Sequence, residues 1–294
     1  MPRGLIIRGE KMKILSLFDG ISCGMIALER AGIKVDKYVA YEIDQNAIKV
    51  SKSNYPEIEQ KGDVRNADFK QYKGFDLLIG GSPCQDFCCM GSRKGLAGEK
   101  SGLFFEYLRA LQEVKPKFFL LENIATMTKV NKDKISEYMK CEPVLIDSGD
   151  FSAQIRKRLY WTNIPIHEYE KKSIILKDIV EKNVQHEEVT DKINKYVISG
   201  QYKGRKIEKT VKNSIRELNQ KSRTIGTTAD CIYNNTGLTL KIGDKYFKPT
   251  QTEFERLQTL PDGYTRILSK RKAVFAIGNG WTVDVIAHIF KGLK

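Results

Sequence analysis

The stretch KILSLFDGISCGMIALERAG, residues 13–32, decides the fold. It begins with a compact apolar run, passes through the loop DGISCG, and then places apolar residues at helical spacing up to the closing glycine Gly32. It therefore predicts a strand, a loop and a helix in that order. Repeated downstream, this order is typical of an α/β protein built on a parallel sheet.

The alternation of strands and helices continues through the first half of the chain. Predicted strands end at residues 44, 64, 80 and 123, and predicted helices cover residues 46–56 and 101–115. The strands are continuously apolar rather than alternating, which predicts a doubly wound, mostly parallel sheet with helices on both faces. Residues 143–151 and 158–164 predict a closing hairpin at the edge of that sheet.

Composition and charge limit the class of protein. The 294 residues include 50 Lys and Arg against 36 Asp and Glu, a formal net charge of +14 that favours a polyanionic partner, above all nucleic acid. No apolar run reaches the roughly 18 residues of a membrane span and no signal peptide is visible, so a cytoplasmic protein without a membrane partner is expected. The six scattered cysteines and three histidines predict neither a disulfide framework nor a metal site.

A basic stretch interrupts the regular pattern. Residues 192–223 contain ten Lys or Arg and two Glu, with Tyr196 and Tyr202 interleaved and Tyr233 further on. The stretch predicts a smaller, loop-rich basic lobe that follows a phosphate backbone, and a solvated insertion is the alternative. Regular order returns with PTQTEFERLQTLPDGY, residues 249–264, which predicts a capped helix stopped by Pro261.

The ends of the first two predicted strands suit an adenosine-like ligand. Phe18, Asp19 and Gly20 end the first strand, where glycine lets a ligand approach the backbone. Glu42 ends the second strand and is well placed for ribose hydroxyls. Because the G-x-G-x-x-G and G-x4-G-K-[ST] patterns are absent from the sequence, a pyrophosphate or triphosphate ligand is less favoured.

Two complementary reactive groups end the next two buried strands. Cys84 lies in GGSPCQ after the fourth strand, and Glu122 ends the fifth. A thiol with a lowered pKa is a competent nucleophile, and a carboxyl group in a partly apolar pocket can stay protonated, so the pair predicts catalysis. The segment QIRKR, residues 154–158, predicts Arg156 and Arg158 on one face of a strand-like segment, suited to a phosphate or a carboxylate.

In this order the motifs resemble those of the cytosine-5 DNA methyltransferases, which use S-adenosylmethionine. LFDGISCG resembles the family's cofactor loop, YEID its ribose-binding acidic position, GGSPCQ its nucleophile loop, LEN its catalytic glutamate and QIRKR its Gln-x-Arg-x-Arg segment. PTQTEFERLQTLPDGY and IGNGWTVDV resemble the late helix and the last cofactor-side motif. LSLFDGI, RKGL and LFFEYLRAL look nearest to the de novo branch, and Trp281 replaces a valine common in bacterial members.

The resemblance implies a Rossmann-like class I methyltransferase with a smaller basic target-recognition lobe. The catalytic S-adenosylmethionine-binding domain covers residues 12–166, the lobe residues 167–247, and a segment returning to the catalytic domain residues 248–294. The implied reaction is methylation of cytosine C5 in double-stranded DNA, by base flipping and a covalent bond from Cys84 to C6.

The resemblance also assigns individual residues. Glu122 hydrogen bonds or protonates N3 of the base, Arg156 and Arg158 brace the flipped nucleotide or the catalytic loop, and Gly80 and Gly81 leave room for cofactor and base. The implied cofactor contacts are Phe18, Asp19, Gly20, Ile21, Glu42, Ile43, Asp63, Val64, Pro83, Asn279 and Trp281.

Other functions stay open at the level of sequence. The same chemistry on tRNA is one, since positive charge does not separate DNA from RNA. A second is a nucleic-acid-binding protein without turnover, against which the presence of Cys84, Glu122, Arg156 and Arg158 argues. A thiol hydrolase ranks last because no histidine lies in a comparable strand-end motif. No obligate protein partner is expected, and a cognate restriction endonuclease acting separately is left open.

Overall fold

A computed structural model describes residues 11–82 and 102–294, which form two compact units. The first unit comprises the described residues up to Ile146 together with Lys157–Tyr169 and Val283–Lys294. The second unit comprises Asp147–Arg156 and Glu170–Thr282. These limits differ from the predicted boundaries at residues 167 and 248, since residues 147–156 and 248–282 group with the second unit.

The elements are numbered along the chain. The strands are β1 (Met12–Leu17), β2 (Val35–Tyr41), β3 (Glu59–Gln60), β4 (Leu77–Gly81), β5 (Phe118–Ile124), β6 (Val144–Asp147), β7 (Lys157–Thr162), β8 (Glu187–Glu188), β9 (Ile215–Glu217), β10 (Thr239–Ile242) and β11 (Lys245–Lys248). The helices are α1 (Cys23–Ala31), α2 (Gln45–Asn54), α3 (Gly102–Val114), α4 (Lys129–Met139), α5 (Leu176–Ile179), α6 (Thr190–Ile193), α7 (Lys206–Ser214), α8 (Gln251–Leu257), α9 (Lys270–Asn279) and α10 (Val283–Phe290).

Within the described part of the chain, the first unit is built on a seven-stranded sheet in the order β3-β2-β1-β4-β5-β7-β6. Strands β1 to β5 pair in parallel, and β7 runs antiparallel to β5. Their apolar side chains are buried on both faces, as continuous apolar strands predict. The core includes Leu15, Leu17, Val39, Leu78, Leu121 and Trp161. The predicted doubly wound, mostly parallel sheet is confirmed, although its third strand ends at Gln60 rather than at residue 64.

Gly80 has a packing role that the sequence did not reveal. An added Cβ at this position would lie 3.0 Å from the carbonyl oxygen of Leu17 and 3.0 Å from the ring of Tyr107 on α3. The space on that side of β4 is therefore occupied by the protein's own core. The expectation that Gly80 leaves room for cofactor and base is wrong, because its missing side chain admits an aromatic ring of the helix packed on the sheet.

Helix α10 belongs to the core of the first unit. It packs against α1, and Arg30 of α1 pairs with Asp284 of α10 at 2.7 Å. The stretch Lys270–Leu293, which contains α9 and α10, is long and apolar enough to pass for a membrane span by length and composition alone. However, 78% of its most apolar window is buried inside the protein, which is the normal state of core helices.

In the part of the second unit that the structure describes, the strands form a four-stranded sheet in the order β8-β11-β10-β9. Strand β10 pairs antiparallel with β11 and parallel with β9. A separate hydrophobic cluster supports this unit and consists of Val189, Ile193, Val211 and Ile232.

The basic stretch contains loops at residues 199–205 and 218–223 and more regular structure than predicted. Residues 192–223 include the end of α6, a π-helical turn at Asn194–Ile198, α7 and β9. The buried face of α7 is mostly polar, being formed by Glu208, Thr210, Val211 and Ser214. Ile207 and Val211, four positions apart, nevertheless give this helix an apolar stripe against the cluster of the second unit.

The predicted capped helix in residues 249–264 is confirmed as α8. The Thr250 hydroxyl accepts a hydrogen bond from the Glu253 backbone N–H at 3.1 Å, and the Glu253 carboxylate accepts one from the Thr250 N–H at 2.8 Å. This reciprocal capping box satisfies two backbone donors that the helix itself leaves unpaired.

Candidate active site

The candidate functional side chains of the first unit lie at one edge of its sheet. Leu17, the last residue of β1, is in register with Tyr41 on β2 and with Gly80 on β4. Gly81 on β4 is in turn in register with Glu122 on β5. The carboxyl ends of four neighbouring parallel strands therefore meet at this edge, as the sequence predicts, and such an edge is where doubly wound sheets bind ligands.

The loop that follows β1 has an unusual backbone. Phe18, Gly20 and Ser22 all have φ near +60° (59°, 61° and 60°). Only glycine adopts this left-handed conformation without a steric cost, so Phe18 and Ser22 are strained. Strain of this kind persists where surrounding contacts determine the backbone, and it is found most often at ligand sites.

Glu42 holds this loop from the neighbouring strand end. Its Oε2 accepts a hydrogen bond from the Gly20 N–H at 2.8 Å, and its Oε1 accepts bonds from the N–H groups of Ile43 and Asp44, each at 2.8 Å. Burial raises the pKa of Glu42, and these backbone donors offset part of that rise. The result is an oriented carboxylate that accepts hydrogen bonds at the end of β2.

Asp19 lies in a cluster of hydroxyl groups that the sequence did not identify. Its carboxylate accepts hydrogen bonds from Ser16 at 2.6 Å, from Ser22 at 2.5 Å and from Tyr38 at 2.7 Å. Burial raises the pKa of Asp19, and the three hydroxyl donors lower it in part. Tyr38 is 3% exposed, and from the sequence it reads only as one more apolar residue of β2.

The surroundings of these carboxylates fit an adenosine. The Ile43 side chain is 64% exposed beside Glu42, so it offers apolar surface next to a carboxylate that can accept from ribose hydroxyls. Phe18 is partly buried, whereas the side chains of Ile21 and Val64 are buried. Ile21 can therefore contribute to a ligand site through its backbone rather than its side chain.

Of the remaining predicted cofactor residues, Asp63 follows β3, and Asn279 and Trp281 lie at and after the end of α9. Asp63 caps a short 3₁₀ turn and pairs with Arg65 through hydrogen bonds of 2.5 to 3.0 Å, which hold the pKa of Asp63 below its usual range. Asn279 is exposed at the end of α9, and Trp281 follows it; both belong to the second unit.

Glu122 and Arg158 form an ion pair at the edge of the sheet where β5 ends. Arg158 Nε lies 2.9 Å from Glu122 Oε1, and the two side chains are only 14% and 12% exposed. The pairing of β5 with the antiparallel β7 brings them together. A guanidinium that pairs with a mostly buried carboxylate fixes the orientation of that carboxylate.

Asn123 connects the end of β5 to the end of β4. Its side-chain nitrogen lies 3.1 Å from the Ser82 hydroxyl and 3.3 Å from the Ser82 carbonyl oxygen. Ser82 is the last residue that the structure describes before residue 102. The predicted site residues Pro83 and Cys84 lie outside the described residues, two positions at most beyond this anchor.

Arg156 has a different environment from Arg158, contrary to the expectation of one shared face. Its guanidinium donates to the carbonyl oxygens of Ile225 at 3.0 Å and of Gly278 and Gly280 at 3.1 Å each. The residue is 6% exposed and lies in the second unit. These three hydrogen bonds position the turn after α9, and the predicted part of Arg156 in bracing a flipped nucleotide or the catalytic loop stays a prediction.

Removing the Arg156 guanidinium should therefore affect stability first. Arg156→Met removes this donor from the buried carbonyl oxygens of Ile225 and Gly278, while Gly280 keeps a hydrogen bond from Gln258 Nε2 at 3.1 Å. We expect the free energy of unfolding to fall by about 3 kcal/mol. Urea denaturation measures the change. The matched control is Arg271→Met, because Arg271 is exposed on α9. Equal midpoints for the two variants would contradict the positioning role.

A comparison with known families gives a direct match. The family model described as C-5 cytosine-specific DNA methylase matches residues 12–294. The type II methyltransferase M1.ScrFI of Lactococcus lactis subsp. cremoris is 29% identical in an alignment that covers 95% of this chain and 77% of that protein. The orphan methyltransferase M.SPRI of Bacillus phage SPR is 40% identical over 126 residues, or 42% of this chain. The match spans only 28% of that phage protein.

Solved structures show the same fold. The Entamoeba histolytica methyltransferase EhMeth aligns with a TM-score of 0.79 at 16% identity and covers 97% of this chain and 98% of its own. The S. pombe Dnmt2 methyltransferase aligns with a TM-score of 0.72 at 17% identity, with 96% and 98% covered. Sheet order, strand-end carboxylates and these alignments define a Rossmann-like class I methyltransferase fold. Within that class, the chain belongs to the C-5 cytosine-specific DNA methylase family.

Proposed function

We propose that this protein transfers a methyl group to C5 of cytosine in double-stranded DNA, with S-adenosylmethionine as the methyl donor. The observation that carries the proposal is the Glu122–Arg158 pair at the carboxyl end of β5, in register with the strand that leads into Pro83 and Cys84. Membership of the C-5 cytosine-specific family and the type II methyltransferases among the relatives support the same reaction.

The first unit supplies most of the residues that would hold the cofactor. In this proposal Glu42 accepts from the ribose hydroxyls, while Phe18, Ile43 and Val64 surround the base. The remaining contacts come from Asp19, Gly20, Ile21, Asp63, Pro83, Asn279 and Trp281. S-adenosylmethionine, when bound, would supply an electrophilic methyl group.

The protein's own chemistry would be carried by Cys84 and Glu122. Cytosine C5 is a poor nucleophile, so the Cys84 thiolate adds to C6 while Glu122 hydrogen bonds or protonates N3. Electron density then accumulates at C5, which is methylated. Loss of the C5 proton as the Cys84 sulfur leaves C6 restores the aromatic ring and frees the enzyme. Arg158 keeps the Glu122 carboxyl group oriented towards the base through its 2.9 Å contact.

The target base in duplex DNA has to leave the helix to reach such a site, as in base-flipping methyltransferases. We assign residues 12–166 to catalysis and cofactor binding, residues 167–247 to target recognition, and residues 248–294 to the returning segment. Within the recognition segment, eight exposed cations support contact with a phosphate backbone. They are Lys192, Lys195, Lys203, Arg205, Lys206, Lys209, Lys212 and Arg223.

Point substitutions test this recognition surface better than a deletion, because Ile193 and Val211 in the same stretch belong to a hydrophobic cluster. We expect the triple variant Lys203→Gln, Lys206→Gln, Lys209→Gln to bind duplex DNA more weakly. The slope of log affinity against log salt should become shallower by about 0.9 for each DNA phosphate that the variant no longer neutralises. Fluorescence anisotropy over a salt series gives this slope.

The control for that experiment removes the same charge elsewhere. Lys49 and Lys52 on α2 and Lys70 are exposed in the first unit, so their glutamine variant should leave the slope unchanged. If both triple variants change the slope equally, residues 192–223 are a solvated insertion and not a binding surface.

Location and partners follow from the proposed activity. A cytosolic enzyme acting on DNA needs no membrane partner. The relatives' names include both type II and orphan methyltransferases. A restriction endonuclease acting separately is therefore consistent with the type II relatives and is not required by the reaction.

The proposed function is tested by transfer of labelled methyl groups from S-adenosylmethionine to unmethylated duplex DNA and, in parallel, to bulk tRNA. Nucleoside analysis of both products identifies the modified base. 5-Methylcytosine in DNA alone is expected. Label in tRNA alone would keep the chemistry and overturn the DNA substrate, while label in neither would indicate a nucleic-acid-binding protein without turnover.

A further inference from the structure

The hydroxyl groups around Asp19 have no part in the reaction described so far. We propose that Tyr38, Ser16 and Ser22 are positioning residues that hold the Asp19 carboxylate in a cofactor-binding orientation. The inference rests on the proposed function, since it takes S-adenosylmethionine as the ligand of this edge. It adds Ser16 and Tyr38, which lie outside the loop LFDGISCG, and gives Ser22 of that loop a role.

The three hydroxyls divide unequally between the two carboxylate oxygens. Ser16 and Tyr38 both donate to Oδ1, at 2.6 and 2.7 Å, whereas Oδ2 receives the Ser22 hydroxyl at 2.5 Å. A carboxylate has about four acceptor positions, so Oδ2 keeps capacity for a donor from a ligand. Asp19 is partly exposed, which is compatible with such a contact.

The Ser22 hydroxyl binds a residue of the loop and does not cap the helix that follows. It directly precedes α1, where a serine side chain ordinarily accepts from a helix N–H, yet it makes no capping hydrogen bond. Its hydroxyl is directed to Asp19 and lies 2.7 Å from the Ser51 hydroxyl, which accepts from Gln60 Nε2 at 2.9 Å. Hydrogen bonds therefore connect Gln60 on β3 through Ser51 on α2 and Ser22 to Asp19.

The same contacts explain how a strained loop persists. Phe18, Gly20 and Ser22 have left-handed backbone angles, and a strained backbone relaxes unless other contacts determine it. Glu42 holds the middle of the loop through the Gly20 N–H, and the hydroxyl groups hold the Asp19 side chain. Removing a hydroxyl should loosen the carboxylate and leave the apolar packing around it in place.

Protonation gives a second consequence. Burial raises the pKa of Asp19 and the hydroxyl donors lower it, so losing a donor raises the pKa further. If binding needs the ionised carboxylate, affinity falls as the pH drops through that pKa, and a variant with a higher pKa loses affinity at a higher pH. The titratable groups nearby are Tyr38 on β2, Glu42 directly after β2, and Cys23 on α1, which interacts electrostatically with Tyr38.

Tyr38→Phe is the test, and Tyr41→Phe is its control. Both tyrosines are buried on β2, but the Tyr41 hydroxyl pairs with the Tyr72 hydroxyl at 3.0 Å. Equilibrium dialysis with S-adenosylmethionine should show about tenfold weaker binding for Tyr38→Phe at about pH 8. Its affinity should fall at a higher pH than that of the wild type. At saturating S-adenosylmethionine its turnover should stay within about threefold of wild type.

Each outcome either supports or overturns the positioning role of Tyr38. Wild-type affinity and pH dependence in Tyr38→Phe would overturn the positioning role, as would equal losses of affinity in the two tyrosine variants. Ser16→Ala is measured alongside, so a folding defect of one variant does not leave the question open. Wild-type protein that binds S-adenosylmethionine but methylates no DNA would overturn the proposed function and leave the Tyr38 result valid, while absence of binding would overturn both.

Discussion

Cys84→Ala is expected to lower methyl transfer to DNA by more than about 10⁴-fold while DNA affinity stays within about threefold of wild type. The alanine variant lacks the thiolate, so it cannot form the sulfur–carbon bond to C6. The substitution removes one sulfur atom and no charge from the basic surface, so the DNA contacts remain. Single-turnover transfer of labelled methyl groups and anisotropy titrations measure the two quantities.

The matched control is Cys141→Ala. Cys141 is a partly buried free cysteine of the first unit that packs against the hydrophobic core. Its variant should retain turnover, although its stability falls slightly. Unchanged turnover in Cys84→Ala would remove the proposed mechanism.

A covalent adduct provides an independent readout of the same residue. Fluorine at C5 of the target cytosine replaces the proton that has to leave, so elimination of the cysteine sulfur is blocked. Duplex DNA with this base should form a protein–DNA adduct that survives denaturation with the wild type and with Cys141→Ala. Cys84→Ala should form none, and an adduct in that variant would assign the nucleophile to another residue.

Glu122→Gln is expected to lower the rate constant for methyl transfer by about 10² to 10⁴-fold, with S-adenosylmethionine affinity nearly unchanged. Glutamine has the size of glutamate and still accepts a hydrogen bond, so Arg158 keeps a partner. What is lost is a group able to deliver a proton to N3 as negative charge develops on the ring. Single-turnover kinetics at saturating DNA and cofactor isolate this step.

The control for Glu122 is Glu142→Gln. Glu142 pairs with Lys132 at 3.3 Å, but its side chain is 74% exposed, so its contribution is screened by water. Its variant should have the kinetics of the wild type. A Glu122→Gln enzyme with the same rate constant as Glu142→Gln would show that the carboxyl group acts only as a partner for Arg158.

The alternation of strands and helices along the chain, and the strand ends that carry Glu42 and Glu122, were readable from the sequence. Continuous apolar runs such as FDLLIG indicate buried parallel strands, because helices cover both faces of such a sheet. Parallel strands end at one edge, so the residues that follow them, including Glu42, Cys84 and Glu122, were expected along the same edge of the sheet. These conclusions depend on local patterns and on a general rule of topology, and the structure confirms the sheet and the shared edge.

The tertiary structure alone decided which partner each polar side chain meets. Arg156 and Arg158 are two positions apart, yet one donates to Gly278 and Gly280 while the other pairs with Glu122. Contacts across such sequence distances depend on how elements pack, which residue spacing does not encode.

The hydroxyl groups around Asp19 and the missing Cβ of Gly80 belong to the same category. The hydroxyl of Tyr38 reaches Asp19 only because β2 pairs with β1. Gly80 is required only because the ring of Tyr107 packs against β4. The sequence by itself determined the class of fold, the family resemblance and the order of the candidate catalytic residues. The three-dimensional packing determined which side chains hold them in place, because hydrogen bonds and close contacts depend on distance in space and not on distance along the chain.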